Sequence, residues 1–250
     1  MQKTTSKKNQ ASLYCFSPPV MLVTLLIEFG LAFYTLWRYK MTTTSRLAVS
    51  ILISLGIFQL AEYMVCGGLG WSNIQWARVG YVSITLLPAL GIHLIITLAG
   101  KKKPLLVSAA YASCVAFVAF YILGTNAISG QSCYANYAVF YTQHAITQWF
   151  AAYYYGWLMI GTYLAWQWGM QQPTRRKTLH YMMIGYLVFL VPTTFFNIID
   201  PSTIKAIPSI MCGFAVLLAY VIVTKILPNS GEIRPSTQSI IEKAIQIPKR

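Results

Sequence analysis

Long runs of apolar residues, separated by short polar or basic connections, dominate the sequence. Runs such as VSILISL (49–55) and FAVLLAYVIV (214–223) are continuous and lack the alternation over about ten residues that a β-barrel strand shows. A helix needs roughly 20 mostly apolar residues to cross a bilayer. Seven stretches meet this requirement: Pro18–Trp37, Leu47–Cys66, Val79–Gly100, Pro104–Gly124, Trp149–Trp168, His180–Asp200 and Ala206–Leu227. The pattern therefore predicts an all-α membrane protein, a seven-transmembrane helix bundle.

This pattern divides the chain into three parts. Residues 1–17 form a polar tail, residues 18–227 form the transmembrane domain, and residues 228–250 form a short basic tail. The tail after helix 7 is too short for a catalytic domain.

Composition supports the same class of protein. Only 10% of the residues are charged, against about 25% in soluble domains, and the mean hydropathy is +0.56. A soluble 250-residue domain needs more charge to cover its surface. These values exclude a cytosolic globular enzyme and predict a multi-pass protein of the cell membrane, with the lipid bilayer as its main partner.

The distribution of basic residues predicts the orientation. Fourteen of the 19 Lys and Arg residues follow helices 1, 3, 5 and 7, whereas five lie on the other side. Basic loops stay in the cytoplasm, so the N-terminus is expected outside and the C-terminus inside. Because the 14 are spread over four segments, the charge of +14 does not predict a nucleic-acid-binding surface.

No motif for catalysis, metal binding or a cofactor is found. The three histidines lie at different depths, and HExxH, CxxC, GxSxG and phosphate-loop patterns are missing from the sequence. We therefore expect neither an enzyme nor a cofactor.

Two polar stripes within the predicted spans are the candidates for a ligand site. Ionisable residues inside a membrane are costly and are functional candidates by default. Spacings of three and four place them on single faces of helices 2 and 6, and the connection from Thr125 to Gln148 is expected to cover them. The candidate ligand-binding residues are Gln59, Glu62, Thr193, Asn197 and Asp200. The alternative is that Glu62 holds helices together through a hydrogen bond and that Asp200 lies at the membrane interface.

Two further polar residues lie inside spans. Glu28 is near the middle of helix 1, where it either pairs with another helix or is neutral, and the sequence does not identify its partner. His93 is in helix 3, and a hydrogen-bonded core histidine is the more common role for such a residue. Both are candidate intramembrane polar partners.

Aromatic residues crowd the start of predicted helix 5, from Trp149 to Trp157. An interfacial belt is the more general explanation, and an aromatic-lined pocket is the alternative. The candidate pocket aromatics are Trp76, Tyr81 and Tyr154.

Of the five cysteines, Cys15, Cys66 and Cys133 fall on the outer side, where oxidation occurs. A Cys66–Cys133 disulfide would tie the long outer connection to the end of helix 2. Three outer cysteines leave one unpaired, so spacing does not fix the pairing.

Residues 52–105 resemble the N-terminal seven-transmembrane region of bacterial and archaeal histidine kinases. The features that carry this resemblance are Glu62 near the end of helix 2, the W-A-R-x-G-Y segment Trp76–Tyr81, the Leu87–Pro88 pair and the basic loop before helix 4. Beyond these residues only the topology is similar.

The resemblance implies a sensory, receptor-like domain that binds a small or amphiphilic ligand from outside and signals through a cytoplasmic partner. In that family an effector domain follows helix 7, whereas here only residues 228–250 follow it. Either the protein signals through a partner, or the sequence is a fragment or a degenerate relative. The alternative function is a small-solute transporter or channel, although no internal repeat supports it.

Overall fold

The computed structural model describes residues 18–67, 72–125, 127–133, 138–142, 144–199, 207–230 and 233–234. It contains seven long helices that run up and down a single bundle. They are α1 (Pro18–Arg38), α2 (Thr43–Gly67), α3 (Asn73–Ala99), α4 (Pro104–Leu123), α5 (His144–Gln171), α6 (Arg176–Ile199) and α7 (Ile207–Val221). Helix α7 continues through a π-helical turn, Ile222–Ile226, into a last turn, α8 (Leu227–Ser230).

Local sequence signals explain several helix ends. The N-terminus of α3 carries a capping box, in which the Ser72 hydroxyl accepts from the Gln75 N–H and the Gln75 side chain accepts from the Ser72 N–H. Gly100 ends the same helix in a left-handed conformation (φ 61°), which favours glycine. Pro104 begins α4, where the missing N–H costs nothing.

Six of the seven helices are long and apolar enough to cross a membrane, which confirms the prediction of an all-α bundle of membrane-spanning helices. The exception is α5, which is 28 residues long but contains four tyrosines and four tryptophans that lower its hydropathy. The predicted boundaries of helices 2, 3, 5 and 6 begin too late by four to six residues, because polar and basic residues continue these helices beyond their apolar stretches.

Helix α3 lies at the centre of the bundle, where it packs against α2, α4, α5 and α6. In its apolar stretch 72% of the residues are buried, compared with 17% in α4. Large apolar side chains of α4, such as Leu105, Val115 and Leu123, are exposed on the outside. A surface of this kind suits contact with lipid and would be unfavourable in water.

Between α4 and α5, where a loop is predicted, the chain forms an antiparallel hairpin of β1 (Ile128–Cys133) and β2 (Ala138–Thr142). A disulfide joins Cys133 of β1 to Cys66 at the end of α2, with a Cα–Cα distance of 5.7 Å. We call this end of the bundle the hairpin end. The opposite end, which carries Lys101–Lys103 and Arg175–Lys177, is the basic end.

The basic end is held by polar contacts between neighbouring connections. Arg175 donates to the Leu98 carbonyl (2.8 Å), and Lys101 donates to Gln171 (3.2 Å). The N–H of Arg234 donates to the Arg38 carbonyl (3.0 Å), which places the segment after α8 beside the end of α1.

Candidate functional site

A cavity of about 530 Å³ opens at the hairpin end, between α3, β2, α5 and α7. This volume is within the range of small-molecule sites, roughly 300–1,000 Å³. Its lining residues are Tyr81, Ile84, Phe140, Tyr141, Thr142, Thr147, Gln148, Phe150, Ala151, Tyr154, Tyr155, Ile207, Pro208, Met211 and Cys212.

Aromatic rings from three elements form the wall of this cavity. The ring of Tyr81 on α3 lies 5.7 Å from those of Phe140 on β2 and Phe150 on α5, and Phe150 lies 5.8 Å from Tyr154. These separations are typical of favourable aromatic pairs. Ala151 is the small residue on the same face of α5, and its short side chain leaves the space open.

The polar groups of the cavity cluster where β2 meets α5. The hydroxyl groups of Thr142 and Thr147 lie 2.5 Å apart, and the Tyr81 hydroxyl is hydrogen-bonded to Thr142. Gln148 adds an amide to the lining. An apolar chamber with polar groups at one place suits a ligand that is mainly apolar and carries one polar group.

The hairpin is attached to the bundle on both strands. The Cys66–Cys133 disulfide fixes β1 to α2, and the Ala138 N–H of β2 donates to the Ser209 hydroxyl of α7 (3.2 Å). The disulfide pair is the one that the sequence offered among its alternatives; Cys15 lies outside the described residues. These attachments hold one wall of the cavity in place.

The two predicted polar stripes do not line this cavity in the described part of the chain. Gln59 and Glu62 are buried inside the bundle, and Ser209 hydrogen-bonds the Glu62 carboxyl. Thr193 is fully buried and donates to the Phe189 carbonyl of its own helix (2.7 Å), whereas Asn197 is half-buried. Asp200 lies outside the described residues.

Glu28 is fully buried, and its carboxyl is within electrostatic range of Glu62. This places the two predicted intramembrane acids together, although the sequence did not indicate that they meet. His93 is elsewhere: its Nδ1 lies 3.2 Å from the Tyr111 hydroxyl of α4, so it joins two helices at the half-buried edge of the bundle.

Of the three predicted pocket aromatics, Tyr81 and Tyr154 line the cavity. Trp76 is half-buried against the core and is not among the lining residues. Within the aromatic start of α5, Trp149 is 70% exposed, as expected of an interfacial residue, whereas Phe150, Tyr153 and Tyr154 are buried. This segment therefore contains both a belt residue and a cavity wall.

Several lining residues were not identified from the sequence, notably Phe140, Met211 and Cys212. Phe140 belongs to a strand that was expected to be loop, and the other two lie in an apolar run without any polar marker. The β-branched and aromatic residues of AVFYT were a local signal for β2, but this run lacks the alternation of apolar and polar residues.

The bundle and its cavity define the class as a multi-pass helical membrane protein with a chamber near one end. Among the described residues no three His, Cys, Asp or Glu side chains come together as metal ligands. No protein-family model matches the sequence, and no curated protein is detectably similar to it.

Proposed function

We propose that this protein is a receptor-like sensor that binds a small or amphiphilic ligand in the hairpin-end cavity and signals through a cytoplasmic partner. The single observation that carries this proposal is the 530 Å³ aromatic chamber beneath the disulfide-bonded hairpin. The resemblance of residues 52–105 to sensory seven-transmembrane regions agrees with it.

The proposal includes seven spans, with the hairpin end outside the cell. Twenty-eight residues of α5 extend about 42 Å, which is longer than the 30 Å hydrocarbon core. Basic loops favour a cytoplasmic location for the opposite end, and a disulfide is favoured on the outer side.

Fluorescent-protein fusions after residue 125 and after residue 234 test this orientation. Only the fusion after residue 234 is expected to fluoresce in bacteria.

Signal transmission would begin at α7, because this helix supports both the cavity and the hairpin. Met211 and Cys212 line the cavity, and Ser209 accepts from β2. A ligand can shift the bundle only if it binds one helix arrangement more tightly than another. At the basic end α7 continues into α8, and the segment after it contacts α1, where a partner would detect the movement.

Cys212 provides a direct test of ligand access. It lines the cavity, whereas the other buried thiol in the described part, Cys114, does not. In a Cys15→Ser/Cys114→Ser background in lipid nanodiscs, which leaves Cys212 as the thiol outside the disulfide, N-ethylmaleimide should label Cys212, and Ala151→Trp should slow labelling at least tenfold by filling the chamber. Leu217→Trp, on an exposed face of α7, is the matched control.

Native mass spectrometry of the same proteins identifies the ligand. The unmodified chain is expected to retain a small-molecule adduct from a membrane extract, and Ala151→Trp is expected to lose it. Equal adducts in both proteins, together with equal labelling of Cys212, would contradict the proposal.

A transporter is the second candidate, and one feature favours it. A small void lined by Gly91, Leu158, Tyr186 and Leu218 continues inward from the cavity, with which it shares Tyr154, Met211 and Cys212. Flux of the identified ligand into proteoliposomes would favour this candidate, and binding without flux favours the sensor.

A further inference from the structure

Two carboxyl groups are buried in the interior of the bundle, on helices that pack against each other. Glu28 of α1 is 0% exposed and Glu62 of α2 is 1% exposed. Glu62 is within electrostatic range of the Glu28 carboxyl, and both carboxyls are within electrostatic range of the Cys212 thiol of α7. The pair therefore lies where α1, α2 and α7 come together.

Three of the four oxygens of this pair lack hydrogen-bond partners among the residues that the structure describes. Within the described part of the chain, neither oxygen of Glu28 nor Oε1 of Glu62 has a hydrogen-bond donor. The Glu62 carboxyl has a polar contact with the Ser209 hydroxyl. No Lys or Arg of the described residues is among the groups that act on either carboxyl.

Such an arrangement needs positive charge from outside the chain. An isolated carboxylate inside an apolar medium is strongly unfavourable, and a second carboxylate beside it adds repulsion. A proton removes one negative charge, and Na⁺ would be bound by carboxylate and hydroxyl oxygens, which are suitable ligands for hard cations. Either ion carries a single positive charge, which removes the repulsion and leaves one negative charge that the two carboxyls and the Ser209 hydroxyl share.

We propose that Glu28 and Glu62, with the Ser209 hydroxyl, form a binding site for one exchangeable monovalent cation, either H⁺ or Na⁺. The site is distinct from the ligand cavity and does not depend on the ligand proposed above. Cys212 lines the cavity and lies within electrostatic range of the two carboxyls, which places the site near the wall of the cavity.

The site is also connected to the hairpin. Ser209 accepts from the Ala138 N–H of β2 at 3.2 Å while its own hydroxyl is directed to Glu62. Loading with a cation therefore changes the acceptor strength of Glu62 and, through Ser209, the hold of α7 on β2. The cation is expected to stabilise the closed hairpin.

The other titratable groups of the surrounding elements have roles of their own. Tyr81 of α3 is hydrogen-bonded to Thr142, and Tyr154 of α5 is next to Cys212. The described strands of the hairpin carry no charged residue. A response to pH that disappears with Glu28 and Glu62 is therefore assigned to the pair.

The test uses the full chain in nanodiscs of zwitterionic lipid, with thermal unfolding followed by tryptophan fluorescence. NaCl is compared with choline chloride at equal ionic strength, at pH 6 and pH 8.5. If Na⁺ is the ligand, saturating NaCl should raise Tm by about 3–5 °C at pH 8.5 and by less at pH 6, where protons compete. If H⁺ is the ligand, Tm should be higher at pH 6 in both salts, without a sodium effect.

Either response should be lost in the E28Q/E62Q variant, which keeps the shape of both side chains. Thr193→Val is the matched control, because it removes a buried hydroxyl from α6 and should retain the response. Identical responses in E28Q/E62Q and the unmodified chain would overturn the proposal.

A second measurement does not require any variant to fold. Equilibrium binding of ²²Na⁺ to the unmodified chain should saturate at one ion per chain and be displaced at pH 6 in the sodium case. In the proton case no ²²Na⁺ binds, and the pH dependence of Tm remains. An unmodified chain that binds no ²²Na⁺ and unfolds at the same temperature at both pH values excludes the site.

Discussion

The two ends of the bundle are built from the same helices but differ in how they use them. At the hairpin end the helices separate around aromatic rings, enclose a cavity and carry the disulfide. At the basic end the connections are drawn together by Arg175, Lys101 and the N–H of Arg234. The polar groups there contact backbone carbonyls and side chains of neighbouring connections.

This difference indicates that the hairpin end carries the function and that the basic end supports the structure. An open cavity and buried carboxyls cost stability, and proteins retain such features where they serve a function. The hydrogen bonds of the basic end join neighbouring connections to the ends of α1, α3 and α5. The predictions below test this contrast, beginning with the largest expected effect.

The hairpin should depend strongly on its disulfide. Replacing Cys66 and Cys133 by serine removes a link between positions 67 residues apart, and we expect a loss of about 2–4 kcal/mol in the free energy of unfolding. Unfolding in nanodiscs by scanning fluorimetry measures the change. Hydrogen exchange of β1 and β2 should rise more than exchange in α3.

The control for this variant is Cys114→Ser. Its thiol is buried and donates to the Thr85 carbonyl (3.4 Å), a contact that a serine hydroxyl can retain. If loss of the disulfide leaves both Tm and the exchange of the hairpin unchanged, the hairpin end is held by its helices alone.

The packed middle of the bundle, just below the cavity, should be intolerant of a single methyl group. A Cβ at Gly161 would lie 2.9 Å from Cε2 of Tyr186 and 3.1 Å from Cδ1 of Ile95, so Gly161→Ala is expected to cost about 1–2 kcal/mol. Gly156 lies five residues earlier in α5, toward the cavity, and a Cβ there meets nothing within 4 Å.

Gly156→Ala is therefore the matched control, and it should be neutral or stabilising by up to about 1 kcal/mol, because alanine favours helix. Tm measured for both variants in the same nanodiscs gives the comparison. Equal destabilisation by the two substitutions would mean that the close approach to Tyr186 and Ile95 does not determine the cost at Gly161.

The helices were predictable because apolar length alone identifies a membrane span. The helix ends were less predictable from apolar length. The Ser72–Gln75 capping box begins α3 before its apolar run, and a capping box is a polar signal that hydropathy does not detect. The aromatic content of α5 gave it a low hydropathy although it belongs to the same bundle.

The site was only partly predictable, because it depends on which helices are neighbours. Tyr81 and Tyr154 were predicted as pocket aromatics and do line the cavity. Cys212 also lines it, but nothing in the sequence around Cys212 indicates this. Glu28 and Glu62 were each identified as unusual, but a hydropathy pattern does not contain the contact between α1 and α2 that brings them together.

The smallest effect is expected at the basic end, where Arg175 supports the C-terminus of α3. Its guanidinium donates to the Leu98 carbonyl at 2.8 Å, where the helix dipole also favours positive charge. Because the side chain is exposed, Arg175→Gln should cost only about 0.5–1 kcal/mol, which lowers Tm by roughly 1–4 °C.

Arg176→Gln, at the next position, is the control, since the structure describes no hydrogen bond from that exposed side chain. Exchange of the last turn of α3 should increase in the first variant alone, while labelling of Cys212 at the hairpin end stays the same in both. If Arg175→Gln instead altered Cys212 labelling, the two ends would be mechanically coupled across the bundle, and the basic end would belong to the signalling pathway as well as to the support.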